Sequence, residues 1–289
     1  LEPTTIQDDH NGLLELSGQG GWAGLSQRYF MVALVPAAAQ RHQVIYRVLP
    51  GGQAGFTSVT IRAEPITIAP GTSTAVTTRI YAGPLQQKVL QRVAPELVHA
   101  VDYGWFHWIA APFFHAMAWL YGWVGNWGWA IILFTIGLKI LLFPLAQKSA
   151  VAMARMRLLM PEMQRLQELY KDNRERLGLE MMGLYKKHGV NPASGCWPLF
   201  LQIPIFYAFY KVLLISFEFR QAPFLGWLQD LSEKDPYYIL PLLMTLTMFI
   251  QQKLNPPATD PLQQKVMMWM PVLFGVMFFW LPSGLVLYW

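Results

Sequence analysis

Residues 128–147 read GWAIILFTIGLKILLFPLAQ, an apolar run in which Lys139 is the only charged residue. Roughly 20 helical residues are needed to cross the hydrocarbon core of a bilayer. The run therefore predicts a membrane-spanning α-helix. A charge inside such a helix costs about 2.5–3.5 kcal/mol on insertion scales, so we expect Lys139 to face water or a partner.

The composition of the whole chain also favours a membrane protein. Hydrophobic residues make up 54% of the 289 residues and charged residues 13%, whereas soluble domains carry roughly 25% charged residues. The net charge is +5, and basic residues spread this thinly argue against sequence-specific nucleic-acid binding. A single cysteine, Cys196, excludes an internal disulfide framework and a multi-cysteine metal site.

Further apolar stretches predict spans at about 197–216, 237–251 and 266–281, and a fifth, truncated span at 283–289. The spans at 237–251 and 266–281 are short, which favours support from flanking polar residues or a thinned bilayer. The chain has no initiator Met and stops within an apolar run, so we expect it to be trimmed at both ends.

Loop charges predict the orientation. Segment 148–190 carries nine Lys and Arg residues, whereas 217–236 has Arg220 and Lys234 among four acidic residues. The basic segment is therefore expected in the cytoplasm, and the first span should run inward from outside. The region before that span then lies outside, and its export requires a hydrophobic segment upstream.

Residues 1–97 have a sequence pattern typical of a β-domain. Alternating patterns at 58–62 and 74–81 predict short strands, and Gly51-Gly52 and Pro70-Gly71 predict turns. A helical run opens at Pro84 and closes at Pro95, with Leu85, Val89 and Val93 on one face.

The helical membrane domain is expected to occupy 98–289. Its first part is crowded with Trp, Tyr and Phe, which favour the headgroup layer, and 102–120 is predicted to be a helix lying in the interface. His107 and His115 stand eight residues apart, which does not fit metal-ligand spacing, so no metal site is predicted.

Segment 148–190 shows apolar residues at intervals of three and four on both sides of Asp172-Asn173, which predicts a cytoplasmic helical hairpin. Its apolar stripe either forms the seam between the two arms or offers a Met-rich surface to apolar partners. Pro161 either kinks the first arm or begins it.

Counted at 1.5 Å per residue, Lys139 lies roughly 18 Å from Trp127 and about 13 Å from Lys148. Thr135 shares its helix face, and Gln202 adds a polar side chain in the second span. A hydrated cavity holding an unpaired positive charge fits these residues, although a Lys139 that snorkels to the inner headgroups is the alternative. Lys211 is read as a snorkelling anchor near the outer end of its span.

Enzyme signatures are absent from the sequence. There is no HExxH, Walker or G-x-S-x-G motif, and Pro282-Ser283-Gly284 reads as a break between two apolar runs. No catalytic residue, cofactor or metal is predicted.

From Val101 onward the chain resembles the YidC membrane protein insertase family. The resemblance rests on ordered strings that include VDYGW, VGNWGWAII, LLFPLAQKS, MARMRLLMPEM, NPASGCWPLFLQIPIF, TDPLQQKVMMWMPVLF and LPSGLVLYW. The β-rich front is similar to the later part of the large periplasmic β-sandwich of Gram-negative members.

This resemblance implies an α-helical polytopic membrane protein with a five-span core, preceded by a partial β-sandwich. The core would enclose a hydrophilic groove open to the cytoplasm and to lipid and closed on the outer side. The groove's basic residue would be Lys139, where the family usually has Arg, and Thr135, Gln202 and Trp227 match other groove positions. Tyr288 matches a position on the last span that faces arriving substrate.

The implied function is insertion and folding of newly made inner-membrane proteins, with nascent chains, the ribosome, the Sec translocon and the lipid bilayer as partners. Two rival functions stay open. A small-anion transporter would be expected to show internal repeats, which the sequence lacks. A purely structural assembly factor would not need Lys139.

Overall fold

The computed structural model describes residues 13–49, 56–190, 197–254 and 261–289. The chain divides into two compact units. The β unit comprises Leu1–Asp102 together with Ile215–Glu218, and the helical unit comprises Tyr103–Leu214 and Phe219–Trp289. The predicted Gly51-Gly52 turn lies outside the described residues.

The β unit contains two three-stranded antiparallel sheets. One has the order β1-β4-β5, and the other has the order β2-β3-β6. The strands are β1 Leu13–Gln19, β2 Ala23–Ser26, β3 Phe30–Pro36, β4 Arg41–Leu49, β5 Phe56–Ala63 and β6 Thr78–Pro84. On β3, buried Met31, Ala33 and Val35 alternate with exposed Phe30 and Val32, because successive side chains point to opposite faces of a sheet. The predicted strand at 58–62 is confirmed within β5.

The predicted strand at 74–81 is wrong in its first half, since β6 begins at Thr78. Residues 74–77 alternate in sequence, but all four are exposed and no buried face holds them in a sheet. The turn at Pro70-Gly71 is confirmed, with the Thr72 amide donating to the Ala69 carbonyl at 3.1 Å.

Helix α1 covers Gln87–Val93, inside the run predicted from Pro84 to Pro95, and a 3₁₀ helix follows at Pro95–Ala100. The buried face of α1 is centred on Leu90, whereas Val89 is only half-buried. Of the predicted face, Leu85 is buried but lies before α1, and Val93 is half-buried like Val89. Pro84 ends β6 and does not open the helix, which begins at Gln87.

The helical unit begins with α2, His107–Val124, which follows a 3₁₀ turn at Gly104–Phe106. Its start lies five residues after that of the predicted 102–120 helix and its end four residues after. Ala110, Phe114 and Met117 form its buried face, while Trp108, Trp119 and Trp123 are exposed. A location in the membrane interface stays a prediction.

Helix α3 runs without a break from Trp127 to Leu169, so the predicted span 128–147 and the first arm of the hairpin are one helix. Asn126 caps its start, because its Oδ1 accepts hydrogen bonds from the amides of Gly128 and Trp129. Within the described ranges, α3 alone is long and apolar enough to cross a membrane. Pro161 lies inside α3 and does not begin an arm.

The hairpin closes through α4, Arg174–His188. Leu159 and Met163 of α3 pack against Leu184 and Val190 in a buried cluster. The interpretation of the apolar stripe as the seam between the arms is thereby confirmed.

The remaining helices are α5 Trp197–Ile215, α6 Ile239–Leu254, α7 Pro261–Phe278 and α8 Ser283–Tyr288. They match the predicted spans 197–216, 237–251, 266–281 and 283–289 to within a few residues at each end. The apolar parts of α5, α6 and α7 are Phe200–Ile215, Ile239–Leu254 and Lys265–Phe278, each shorter than a full span.

Candidate functional site

Lys139 and Thr135 lie one turn apart on α3. Together with Ile136, Ile140 and Phe143 they line an open depression of about 500 Å³. The Lys139 side chain is exposed, and among the described residues it has no hydrogen-bond or ion-pair partner. The Thr135 hydroxyl donates to the Ile131 carbonyl at 2.7 Å, which ties it to its own helix. This face of α3 therefore presents one positive charge among apolar side chains.

Gln202 of α5 and Tyr288 of α8 form a direct pair. The Gln202 Nε2 donates to the Tyr288 hydroxyl at 2.6 Å, and the Tyr288 ring stacks on Phe209 with centroids 4.6 Å apart. Tyr288 is only 4% exposed. The hydrogen bond satisfies two polar groups that apolar helices would otherwise leave without partners.

Aromatic rings connect these two parts of the site. Phe113 of α2 contacts Phe134 of α3 at 4.9 Å, and Phe134 stacks on Phe209 of α5 at 6.0 Å. Phe134 precedes Thr135 in the chain. The structure thus groups Thr135 with Lys139, and Gln202 with Tyr288, on helices that pack through a row of rings.

Trp227 lies apart from both pairs, in the connection between α5 and α6. Its Nε1 donates to the Asp235 carboxylate at 3.0 Å, and that carboxylate also accepts the amides of Tyr237 and Leu240. Asp235 is 1% exposed. In this position Trp227 helps to hold the buried carboxylate at the start of α6, and its predicted role in the groove stays a prediction.

The same connection also holds the start of α8. The Ser283 amide donates to the Glu233 carbonyl at 2.7 Å, and the Gly284 amide donates to the Leu231 carbonyl at 3.0 Å. The Ser283 hydroxyl donates to the Asp230 carbonyl at 2.9 Å. Ser283, Gly284 and Leu285 are fully buried. The start of α8 is therefore packed against the connection between α5 and α6.

Asp235, Ser283 and Gly284 were not predicted as site residues. The Pro282-Ser283-Gly284 break and the Asp before an apolar helix were visible in the sequence. The partners of Ser283 and Gly284 were not, because those hydrogen bonds join segments about 50 residues apart. Within the described ranges, no group of three or more His, Cys, Asp or Glu side chains is placed to hold a metal ion.

Two family models match the chain. The model described as "60Kd inner membrane protein" matches residues 119–289, and the one described as "YidC periplasmic domain" matches residues 4–116. The chain belongs to the YidC family of inner membrane proteins. It is an inner membrane protein with a periplasmic domain, as the resemblance implied.

Similar curated proteins carry the name membrane protein insertase YidC. One from Aromatoleum aromaticum is 49% identical over 269 residues, which are 93% of this chain and 48% of that protein. One from Shewanella loihica is 44% identical over 290 residues, covering 100% of this chain and 53% of that protein. The chain thus spans about half the length of the curated relatives it matches.

A solved structure titled "Active YidC insertase crystal structure with the first transmembrane domain resolved" matches with a TM-score of 0.58 and 20% identity. The match covers 96% of this chain and 76% of that chain. It confirms the predicted fold class, a YidC-like helical membrane core preceded by a β-domain.

Proposed function

We propose that this chain is the part of a YidC-family insertase that moves newly made proteins into the inner membrane without covalent catalysis. The observation that carries the proposal is the exposed, unpartnered Lys139 on the apolar face of α3, judged among the described residues. A charge kept in this position is costly unless it meets water or an oppositely charged ligand.

The depression beside Lys139 would receive the short polar or acidic outer segment of a nascent chain. Water and a positive charge partway across the bilayer shorten the apolar barrier that such a segment has to cross. Lys139 acts as a point charge, and it lacks the planar fork with which the family's usual Arg binds a carboxylate.

The apolar helix of the substrate would move along α3 and α7 into lipid. Both helices expose large apolar side chains, including Leu141 and Phe143 on α3 and Leu273 and Met277 on α7. Burial of the substrate's own apolar surface drives this step. The packed start of α8 supports a groove that is closed at the outer end rather than a pore.

Nascent membrane proteins are the proposed substrates. The ribosome and the Sec translocon are proposed partners, with the basic hairpin as the surface nearest to an arriving chain. Its exposed Lys and Arg residues favour contact with anionic surfaces.

The test compares wild type, Lys139→Ala and Lys139→Arg in liposomes containing the full chain, and measures protease protection of a newly synthesised small membrane protein. Lys211→Ala is the matched control, because it removes one charge from α5, where Lys211 lies over the Tyr207 ring. Insertion should fall in Lys139→Ala and persist in Lys139→Arg and Lys211→Ala.

Normal insertion by a folded, correctly oriented Lys139→Ala variant would overturn the electrostatic part of the proposal. Insertion no better than in empty liposomes, with folded wild-type protein, would overturn the insertase function itself. That result would favour an assembly factor or a transporter.

A further inference from the structure

A second depression, of about 430 Å³, opens where the membrane part of α3 continues into the hairpin. Lys148 and Arg155 line it together with Gln147, and Val151, Ala152 and Val190 form its apolar wall. Among the described residues that line it, none is acidic. It therefore combines two cations with an apolar surface.

The two cations are placed to share one ligand. Lys148 and Arg155 are seven residues apart on α3, which is two helical turns, so they lie on the same face with a rise of roughly 10 Å. Both side chains are exposed. Val151 lies between them, one turn from each. Val190 directly follows Gly189, the glycine that caps the end of α4.

The depth of this depression matches a headgroup layer. Lys148 is 21 residues beyond Trp127, or roughly 31 Å along α3, and the hydrocarbon core is about 30 Å thick. With Trp127 at the outer boundary of the core, Lys148 reaches the inner one. Anionic lipids are concentrated in the inner leaflet and attract basic groups there.

We propose that this depression binds the phosphodiester headgroup of an anionic phospholipid, with the phosphate between Lys148 and Arg155. The glycerol region lies against Val151, Ala152 and Val190. The Arg155 guanidinium offers the fork geometry that suits phosphate oxygens. RNA phosphates would also attract both cations, but the apolar wall and the headgroup depth favour a lipid. This site is separate from the Lys139 depression and does not depend on the proposed function.

The experiment uses the full chain in phosphatidylcholine vesicles that contain a trace of spin-labelled phosphatidylglycerol or spin-labelled phosphatidylcholine. The motionally restricted fraction of each label reports its relative affinity. The test variant is Lys148→Gln/Arg155→Gln. The control is Arg157→Gln/Lys171→Gln, which removes the same charge from the hairpin outside the depression. A charge-preserving variant, Lys148→Arg/Arg155→Lys, guards against misfolding.

Selectivity for the phosphatidylglycerol label should fall roughly tenfold in the test variant and change less than twofold in both others. Equal loss in the Arg157/Lys171 control would overturn the proposal, because general hairpin charge would then explain it. Displacement of the lipid label by inorganic phosphate at about 1 mM, the concentration that half-fills a millimolar site, would overturn the lipid assignment in favour of free phosphate. Unchanged lipid selectivity in Lys148→Gln/Arg155→Gln would overturn the lipid assignment. If the same variant also lost binding to purified ribosomes, the depression would be assigned to RNA instead.

Discussion

The side-chain amide of Gln202 on α5 donates a 2.6 Å hydrogen bond to the hydroxyl of Tyr288 on α8, 86 residues later in the chain. Tyr288 also stacks on Phe209 of α5. The pair therefore joins two helices by one polar and one aromatic contact. Both residues were predicted to line the substrate groove, which stays a prediction, whereas their mutual bond gives them a structural role.

Tyr288→Phe should lower the free energy of unfolding by about 1 kcal/mol, because it removes the hydroxyl and keeps the ring on Phe209. Gln202→Leu should cost a similar amount. The double variant should lose less than the sum, since neither change then leaves a partner unsatisfied. Reversible unfolding in mixed micelles measures the three values, and strictly additive losses would show that the bond does not stabilise the protein.

Gly284→Ala should destabilise the helical unit by about 1–3 kcal/mol. A Cβ at this position would lie 3.0 Å from the Leu231 carbonyl oxygen and 3.1 Å from Leu213 Cδ2. Backbone at such a distance has little room to move. Thermal unfolding of the full chain measures the loss.

Gly137→Ala is the matched control, because nothing lies within 4 Å of a Cβ at that position in α3. There the substitution should raise stability by up to about 1 kcal/mol through helix propensity. Equal effects at the two glycines would contradict the close packing at the start of α8.

Local periodicity predicted what depends on local structure. The hairpin seam, the turn at Pro70-Gly71 and the positions of α5–α8 follow from apolar spacing and from Pro and Gly. Residues 74–77 do not form the predicted strand, because all four are exposed and none packs on a buried face. The continuity of α3 across residue 148 was not predicted, since a change in composition was taken for a change in structure.

The candidate site was predicted only in part. Lys139 and Thr135 share a face because they are four residues apart, which the helical period alone dictates. The Gln202–Tyr288 pair joins residues 86 positions apart, and the Trp227–Asp235 bond lies within the irregular connection between α5 and α6, so the helical period predicts neither.

Leu184→Ala should lower the free energy of unfolding of the hairpin by about 2 kcal/mol. Leu184 is 9% exposed and packs in the seam with Leu159 and Met163. Leu179→Ala on the same helix is the comparison. Leu179 is 67% exposed, so its loss should stay within about 0.5 kcal/mol. Hydrogen exchange of the α4 amides measures both, and similar protection in the two variants would contradict the seam.

Glu218→Gln should change how the stability of the β unit depends on pH. Burial raises the pKa of the Glu218 carboxyl above 4.5, while the Gln87 amide, which donates to it at 3.2 Å, and the charge of Lys88 act in the opposite direction. The native state thus holds this proton more tightly than the unfolded chain does. The resulting stabilisation is complete below pH 4.5 and is lost as pH rises through the raised pKa.

In Glu218→Gln the neutral amide replaces the protonated acid at every pH. The loss of stability between pH 4.5 and neutrality should therefore shrink, and the variant should exceed wild type at pH 7. Hydrogen-exchange protection of the α1 amides, corrected for intrinsic rates, measures this across the pH range. Glu96→Gln removes an exposed carboxylate from the same unit and should keep the wild-type slope. Parallel pH profiles for wild type and Glu218→Gln would show that the buried carboxyl does not control this stability.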